Sequence, residues 1–158
     1  MKGAFILPKR NLIIPNLIVQ EGAISFLKMM FRADVADVAA GGNFFFGLAG
    51  ETGVAANSQL NDITDELTVV NGYARKPISR DAIGWPTVDL VNGQGRAKSA
   101  IANFTAAGGD FSAPFSRVFL CNVVSGSIGL LYAFSAQISP AITVTDGNTE
   151  PIQYEFFF

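Results

Sequence analysis

The sequence predicts a mainly β fold, an antiparallel β-sandwich or jelly-roll-like body with one N-terminal amphipathic helix and an extended N-terminal arm. Three observations carry that expectation. The 158 residues include 16 Gly, 7 Pro and 14 Phe, a mixture that favours turns and aromatic strands over a helix bundle. Short apolar runs recur between Asn-Gly, Gly-Gly and Asp-Gly turn signals through the second half. Only one segment, residues 21–38, steps its apolar residues by three or four, at Ile24, Leu27, Phe31, Val35 and Val38. The length is that of one domain, divided as an arm over 1–20 and a body over 21–158.

Residues 11–19 are apolar and extended in character. Pro15 argues against a central strand there, because proline lacks the N–H a ladder needs. This makes Leu12, Ile13, Ile14, Leu17 and Ile18 candidates for a docking arm. The helix follows, with Lys28 and Arg32 one turn apart on a second face and Gly41-Gly42 as its stop. Asn43 to Ala49 is an aromatic strand. Ser58 is placed to cap a short helix over 59–67 with Asp62 in its first turn. Thr68-Val69-Val70 begins a strand that turns at Asn71-Gly72 and continues through Tyr73, Arg75 and Ile78.

Further strands are expected at 87–91, 97–105, 115–124, 128–135, 141–145 and 152–156, with turns at 92–95, 107–110 and 146–148. Asp146-Gly147-Asn148 looks like a fragment of a calcium loop but lacks the remaining ligands, and reads most simply as a type I′ hairpin turn. Residues 118–145 are 28 uncharged residues in a row, long enough for a membrane-spanning helix. Ser125-Gly126-Ser127 divides them into two apolar runs, so a hairpin is the favoured reading and a spanning helix the lesser alternative. At the N-terminus Pro8-Lys9-Arg10 breaks an apolar run too short for a secretory signal.

Half of the chain is hydrophobic (49%) and only 15% is charged, against about 25% in ordinary soluble domains. A chain so apolar is expected to cover surface against other subunits. The net charge of −2 gives nucleic acid no attraction. The first 33 residues are nevertheless basic, with Lys2, Lys9, Arg10, Lys28 and Arg32 against Glu21. An arm of that charge would suit an acidic neighbour; the competing reading is one basic helix face.

Little in the composition invites catalysis. With no histidine and one cysteine, Cys121, His/Cys metal clusters and Ser-His-Asp or Cys-His constellations have no members. Cys121 reads as a small buried side chain. Asp62, Asp65 and Glu66 read as a solvated acidic cluster, not as an acid–base pair. Gly93 and Gly95 before Arg96 lack a phosphate-loop setting, and no cofactor is expected. Trp85 suits an interface or core anchor, with sugar stacking as the alternative. Arg75 suits an ion pair with a neighbour's acid, or a plain exposed charge. Phe156-Phe157-Phe158 puts Phe156 and Phe158 on one side of a strand and Phe157 on the other. The expectation is that both sides are covered, one of them by another subunit.

The order of these features resembles small structural proteins of tailed-bacteriophage particles, in particular capsid cement (decoration) proteins. The features are Asn16 to Val19, then Leu27-Lys28-Met29-Met30-Phe31, Gly47-Leu48, Glu66 with Asn71 to Arg75, Trp85, Asn103 to Phe111, the Leu-Leu-Tyr-Ala-Phe-Ser run at 130–135 and the Asp-Gly-Asn turn at 146–148. The resemblance spans about residues 16 to 158. It implies a non-enzymatic protein on the outer surface of a capsid, a homo-oligomer and most often a trimer, whose partner is the major capsid protein. Neither nucleic acid nor membrane is implied as a partner. A tail, neck or fibre component is the alternative within the class, and a glycan-binding module using Trp85 the alternative outside it. On this reading Ile13, Ile14 or Phe157 to Asp should weaken particle association more than it unfolds the body.

Overall fold

A computed structural model describes residues 2–31, 42–50 and 53–157, and the side chains of helix residues 26–31 are outside that description. Ten strands form one antiparallel sheet: β1 (Lys2–Leu7), β2 (Leu12–Ile18), β3 (Asn43–Ala49), β4 (Lys76–Ser79), β5 (Thr87–Val91), β6 (Gln94–Lys98), β7 (Ala102–Thr105), β8 (Arg117–Cys121), β9 (Leu131–Ser135) and β10 (Thr149–Phe157). The order across the sheet is β4-β3-β8-β9-β2-β1-β10-β6-β5, and β7 pairs with the first half of β10. The sheet curls into a half-barrel. Phe46 of β3 therefore meets Phe5 of β1 and Tyr154 of β10, with ring centroids 6.1 and 6.5 Å apart, although three strands separate β3 from β1 along the sheet. These rings, with Tyr73 stacked on Phe104, fill the inner face. The mainly β expectation holds in this form.

Residues 2–18, within the arm expected over 1–20, are not an arm. β1 and β2 are central strands, with β10 on one side and β9 on the other. Proline is accommodated because β2 changes neighbour at that point. Its residues 12–15 pair with β1 and residues 16–18 with β9. The Pro15 carbonyl accepts from Ala136 N, one residue past the end of β9, so the missing N–H falls beyond that ladder. The basic residues of this region also stay within the chain. Arg10 pairs with the buried Glu150 of β10 at 3.1 Å, and Lys9 donates to the Thr149 carbonyl.

One helix, α1 (Gln20–Phe31), lies against β9. Gly22 permits this approach: a Cβ there would sit 2.5 Å from the Tyr132 Cα. In the first turn Glu21 accepts from Leu131 N at 2.6 Å. The expected continuation to residue 38, with Val35, Val38 and Arg32, lies outside the described residues, as do the side chains of Leu27, Lys28 and Phe31.

Three smaller expectations are corrected. Residues 59–67 form a single 3₁₀ turn, Leu60–Asp62, not a helix. Gln59 and Asp62 close it reciprocally as a capping box, while Ser58 receives Ala55 N instead of capping. Thr68–Val70 and 141–145 are not strands; the second contributes one bridge, Ile142 to Phe115. Asp146-Gly147 is not type I′, because only Gly147 has a positive φ and both central residues would need one. Asn71-Gly72 and Asn92-Gly93 do meet that requirement. Within 118–145 the chain makes β8, a loop and β9, and no helix among the described residues is long and apolar enough to cross a membrane.

Candidate functional site

The densest polar cluster is built around Arg75. Its side chain is buried, and all five of its N–H groups are used within the chain. Nε and Nη2 donate to the two oxygens of Glu66 at 2.8 and 2.6 Å. Nη2 also donates to the Gly126 carbonyl, and Nη1 to the Val123 carbonyl and the Cys121 sulfur. The guanidinium stands 5.1 Å over the Phe119 ring, which in turn packs on Gly47 across the β3–β8 ladder. Tyr73 donates to Glu66 as well, from a hydroxyl that receives Leu48 N. Burial, reinforced by the Glu66 charge, raises the Tyr73 hydroxyl above its ordinary range. Burial also pushes the Cys121 thiol up to about 11, against the opposing pull of Arg75.

This cluster ties the turn at 71–72 and the loop between β8 and β9 to the sheet. Its donors are spent, so it offers neither a free guanidinium for a neighbour's acid nor a thiolate nucleophile. The expected intermolecular pairing of Arg75 is thus replaced by an internal one. Glu66, expected as a solvated acid, is its partner. Asn71-Gly72 was the sequence signal for this, because Glu66 and Arg75 stand on opposite arms of that turn. A recess beside the cluster is lined by Leu67, Thr68, Val69, Ala74, Val124 and Ser125. Among the described residues no group of three or more His, Cys, Asp or Glu could hold a metal ion.

The remaining candidates divide by the face they occupy. Ile14 belongs to the core at 4% exposure, and Leu12 and Ile18 pack partly against it. Ile13 (67%) and Leu17 (39%) point to the opposite, outer face, as strand alternation requires. Ile6 lies directly across from Ile13 on that face, and Ala4 across from Pro15. The stripe continues into a groove formed by Pro15, Leu17, Val54, Phe134, Ala136 and the cationic Arg117. Trp85 is half-buried, edge-on to Phe44 and Tyr154, and helps close the inner core. Phe156 is buried on the inner face. Phe157 is half-buried on the outer face, between Lys2 and Arg96 in the register. Phe158 lies outside the described residues.

Exposed apolar residues that sequence reasoning missed include Val88 and Leu90 of β5 and Ile128 of the β8–β9 loop. Their alternation reads as that of a half-buried strand, and nothing local marks β5 as the end of the sheet. No family model, no curated protein and no solved structure matches the chain.

Proposed function

We propose that this chain is a non-enzymatic structural subunit of a tailed-bacteriophage particle, a cement protein that seats on the outer surface of the major capsid protein shell. One observation carries the reading of an interaction subunit: the outer stripe of Ile6, Ile13, Pro15 and Leu17 on the two central strands. A one-sided antiparallel sheet normally alternates apolar inside with polar outside. Here the outer face of its middle is apolar as well, which suits a surface that another subunit covers. The order of sequence features supplies the viral part of the reading, along with a homo-oligomeric, trimeric arrangement.

The mechanism is mass action. A subunit that binds the assembled shell and not its loosened form stabilises it by its binding free energy, about 2.7 kcal/mol at a hundred times the dissociation constant. Co-sedimentation of the purified chain with undecorated shells tests this. Saturable binding in proportion to shell subunits, lost in Ile13→Asp and accompanied by higher heat resistance of the shell, is the expected result. Attachment of only a few copies per particle would favour a tail or neck position, and no attachment would set the reading aside.

A further inference from the structure

The two ends of the sheet differ in how they are finished. At one end β4 carries Pro77, which has no N–H, and lies against β7. At the other end β5 pairs with β6 alone, and its far side meets no described strand.

The β5–β6 hairpin turns through Asn92-Gly93, with φ of 52° and 79°. In a two-residue hairpin the residues flanking the turn exchange backbone hydrogen bonds, and so does every second pair beyond them. Those pairs are Val91 with Gln94, Asp89 with Arg96 and Thr87 with Lys98. The N–H and C=O groups of Val88 and Leu90 therefore point away from β6, along the open edge.

The side chains of the same two residues lie on the face that carries Phe156, through Ala97 opposite Val88, and are 76% and 77% exposed. Asp89, between them, points to the other face. Arg96 grips it through two bonds of 2.8 and 2.6 Å and also reaches Glu155 at 3.2 Å. Asp89 and Glu155 of the neighbouring β10 thus balance Arg96 and Lys98, so this end of the sheet favours neither an acidic nor a basic partner.

We propose that the open edge of β5 pairs antiparallel with β5 of a second copy, about a two-fold axis through Asp89. This register sets Val88 opposite Leu90 of the second copy and Leu90 opposite its Val88. It satisfies both free backbone pairs with about four hydrogen bonds and gathers four aliphatic side chains on one face. Centring on Val88 would set Leu90 against Pro86, which cannot donate, and centring on Leu90 would set Val88 against the turn residue Asn92.

The segment Thr-Val-Asp-Leu-Val reads nearly alike in both directions, as an isologous contact requires. Pro77 at the other edge disfavours head-to-tail pairing of β5 with β4. A five-residue edge covers less than the roughly 800 Å² per partner of a standard stable interface, so the pair is weak alone and populated where copies are crowded. This inference goes beyond the capsid reading and does not need it.

Sedimentation velocity of the full chain over about a hundredfold concentration range tests it. The wild type should move from monomer towards dimer. Leu90→Pro removes an edge N–H that β6 does not use, and Val88→Lys places a charge on the edge. Each should raise the dissociation constant at least about tenfold, with the circular dichroism of the wild type retained by at least one of them. Ile13→Lys, on the outer face of β2, should leave it unchanged. A wild type that stays monomeric overturns the proposal. So does dimerisation unaffected in a folded β5 variant. A trimer indifferent to both β5 variants overturns the pairing while leaving the reading of the preceding section standing.

Discussion

The half of the sheet around β3, β8 and β9 and the half around β1, β2, β10 and β5 are built from the same pairing but finished differently. Every residue of β9 is buried, as are four of the five residues of β8. Their inner face joins the main core, and Val19, Leu60 and Ile63 cover their outer face against Phe119, Cys121, Leu131 and Phe134. Across β10 burial alternates strictly, β2 leaves Ile13, Pro15 and Leu17 exposed, and β5 is open on both faces at its centre. Cover is thus nearly complete on β8 and β9, one-sided across β2, β1 and β10, and least at β5. The comparison teaches that stability is concentrated at one end of the sheet, while surface available to other molecules lies at the other.

Substitutions can break this contrast, and the largest effect should come from a single position on β2. Ile14→Asp buries a carboxylate without a partner among Phe5 and the other core side chains, and the chain should fail to give a cooperative urea transition. Phe119→Ala, in the doubly covered half, should cost about 3–5 kcal/mol in urea unfolding. Glu66→Ala leaves the buried Arg75 short of two bonds and should cost about 3 kcal/mol, the low end for a broken buried pair because Glu66 itself is partly exposed.

Glu21→Gln is a gentler probe of how α1 sits on β9. Burial, opposed by the bond from Leu131 N and aided by the Asp62 charge, raises the Glu21 carboxyl above its ordinary 4.5. A carboxyl raised on folding favours the folded state below pH 4.5, and that advantage is lost as pH climbs through the folded value. The amide keeps an acceptor for Leu131 N and has no such dependence. The variant should therefore gain on the wild type as pH rises from 4 to 7 in parallel urea titrations, by less than any effect above. Ile13→Asp, one residue from the most damaging site, should change stability by no more than about 0.5 kcal/mol. Its effect is expected in shell binding instead.

The same gradient explains what could be read from the residues alone. β10 was legible because one of its faces is covered: Ile152, Tyr154 and Phe156 alternate with Gln153 and Glu155. The β8–β9 hairpin was legible from two apolar runs around a Ser-Gly-Ser break. β2 was not, since a proline argues against a central strand unless the change of neighbour is known, and that change depends on β9, more than a hundred residues away. The 3₁₀ turn replaced a helix because Leu60 and Ile63 are drawn onto the outer face of β8 and β9. Of the candidate site, the outward residues Ile13 and Leu17 emerged from the sequence in company with inward Ile14 and Phe156, because the register that sorts them is set by distant strands. Arg75 was legible as an ion-pair former and not as an internal one, because the helix expected over 59–67 put Glu66 on a solvated face, whereas the chain leaves that turn at Asp62 and folds back at Asn71-Gly72.

The pairing of β1 with β10 also governs when the molecule can be finished. The Arg10–Glu150 contact closes a separation of 140 residues, and Phe5 meets Tyr154 only after nearly the whole chain is in place. Such distant closures make for slow assembly. On the ribosome β3 and β8 are synthesised well before β10, the strand that pairs with β1, β6 and β7. Until β10 emerges, the backbone edge of β1 stays unpaired, and the nascent chain must be kept from premature association through it.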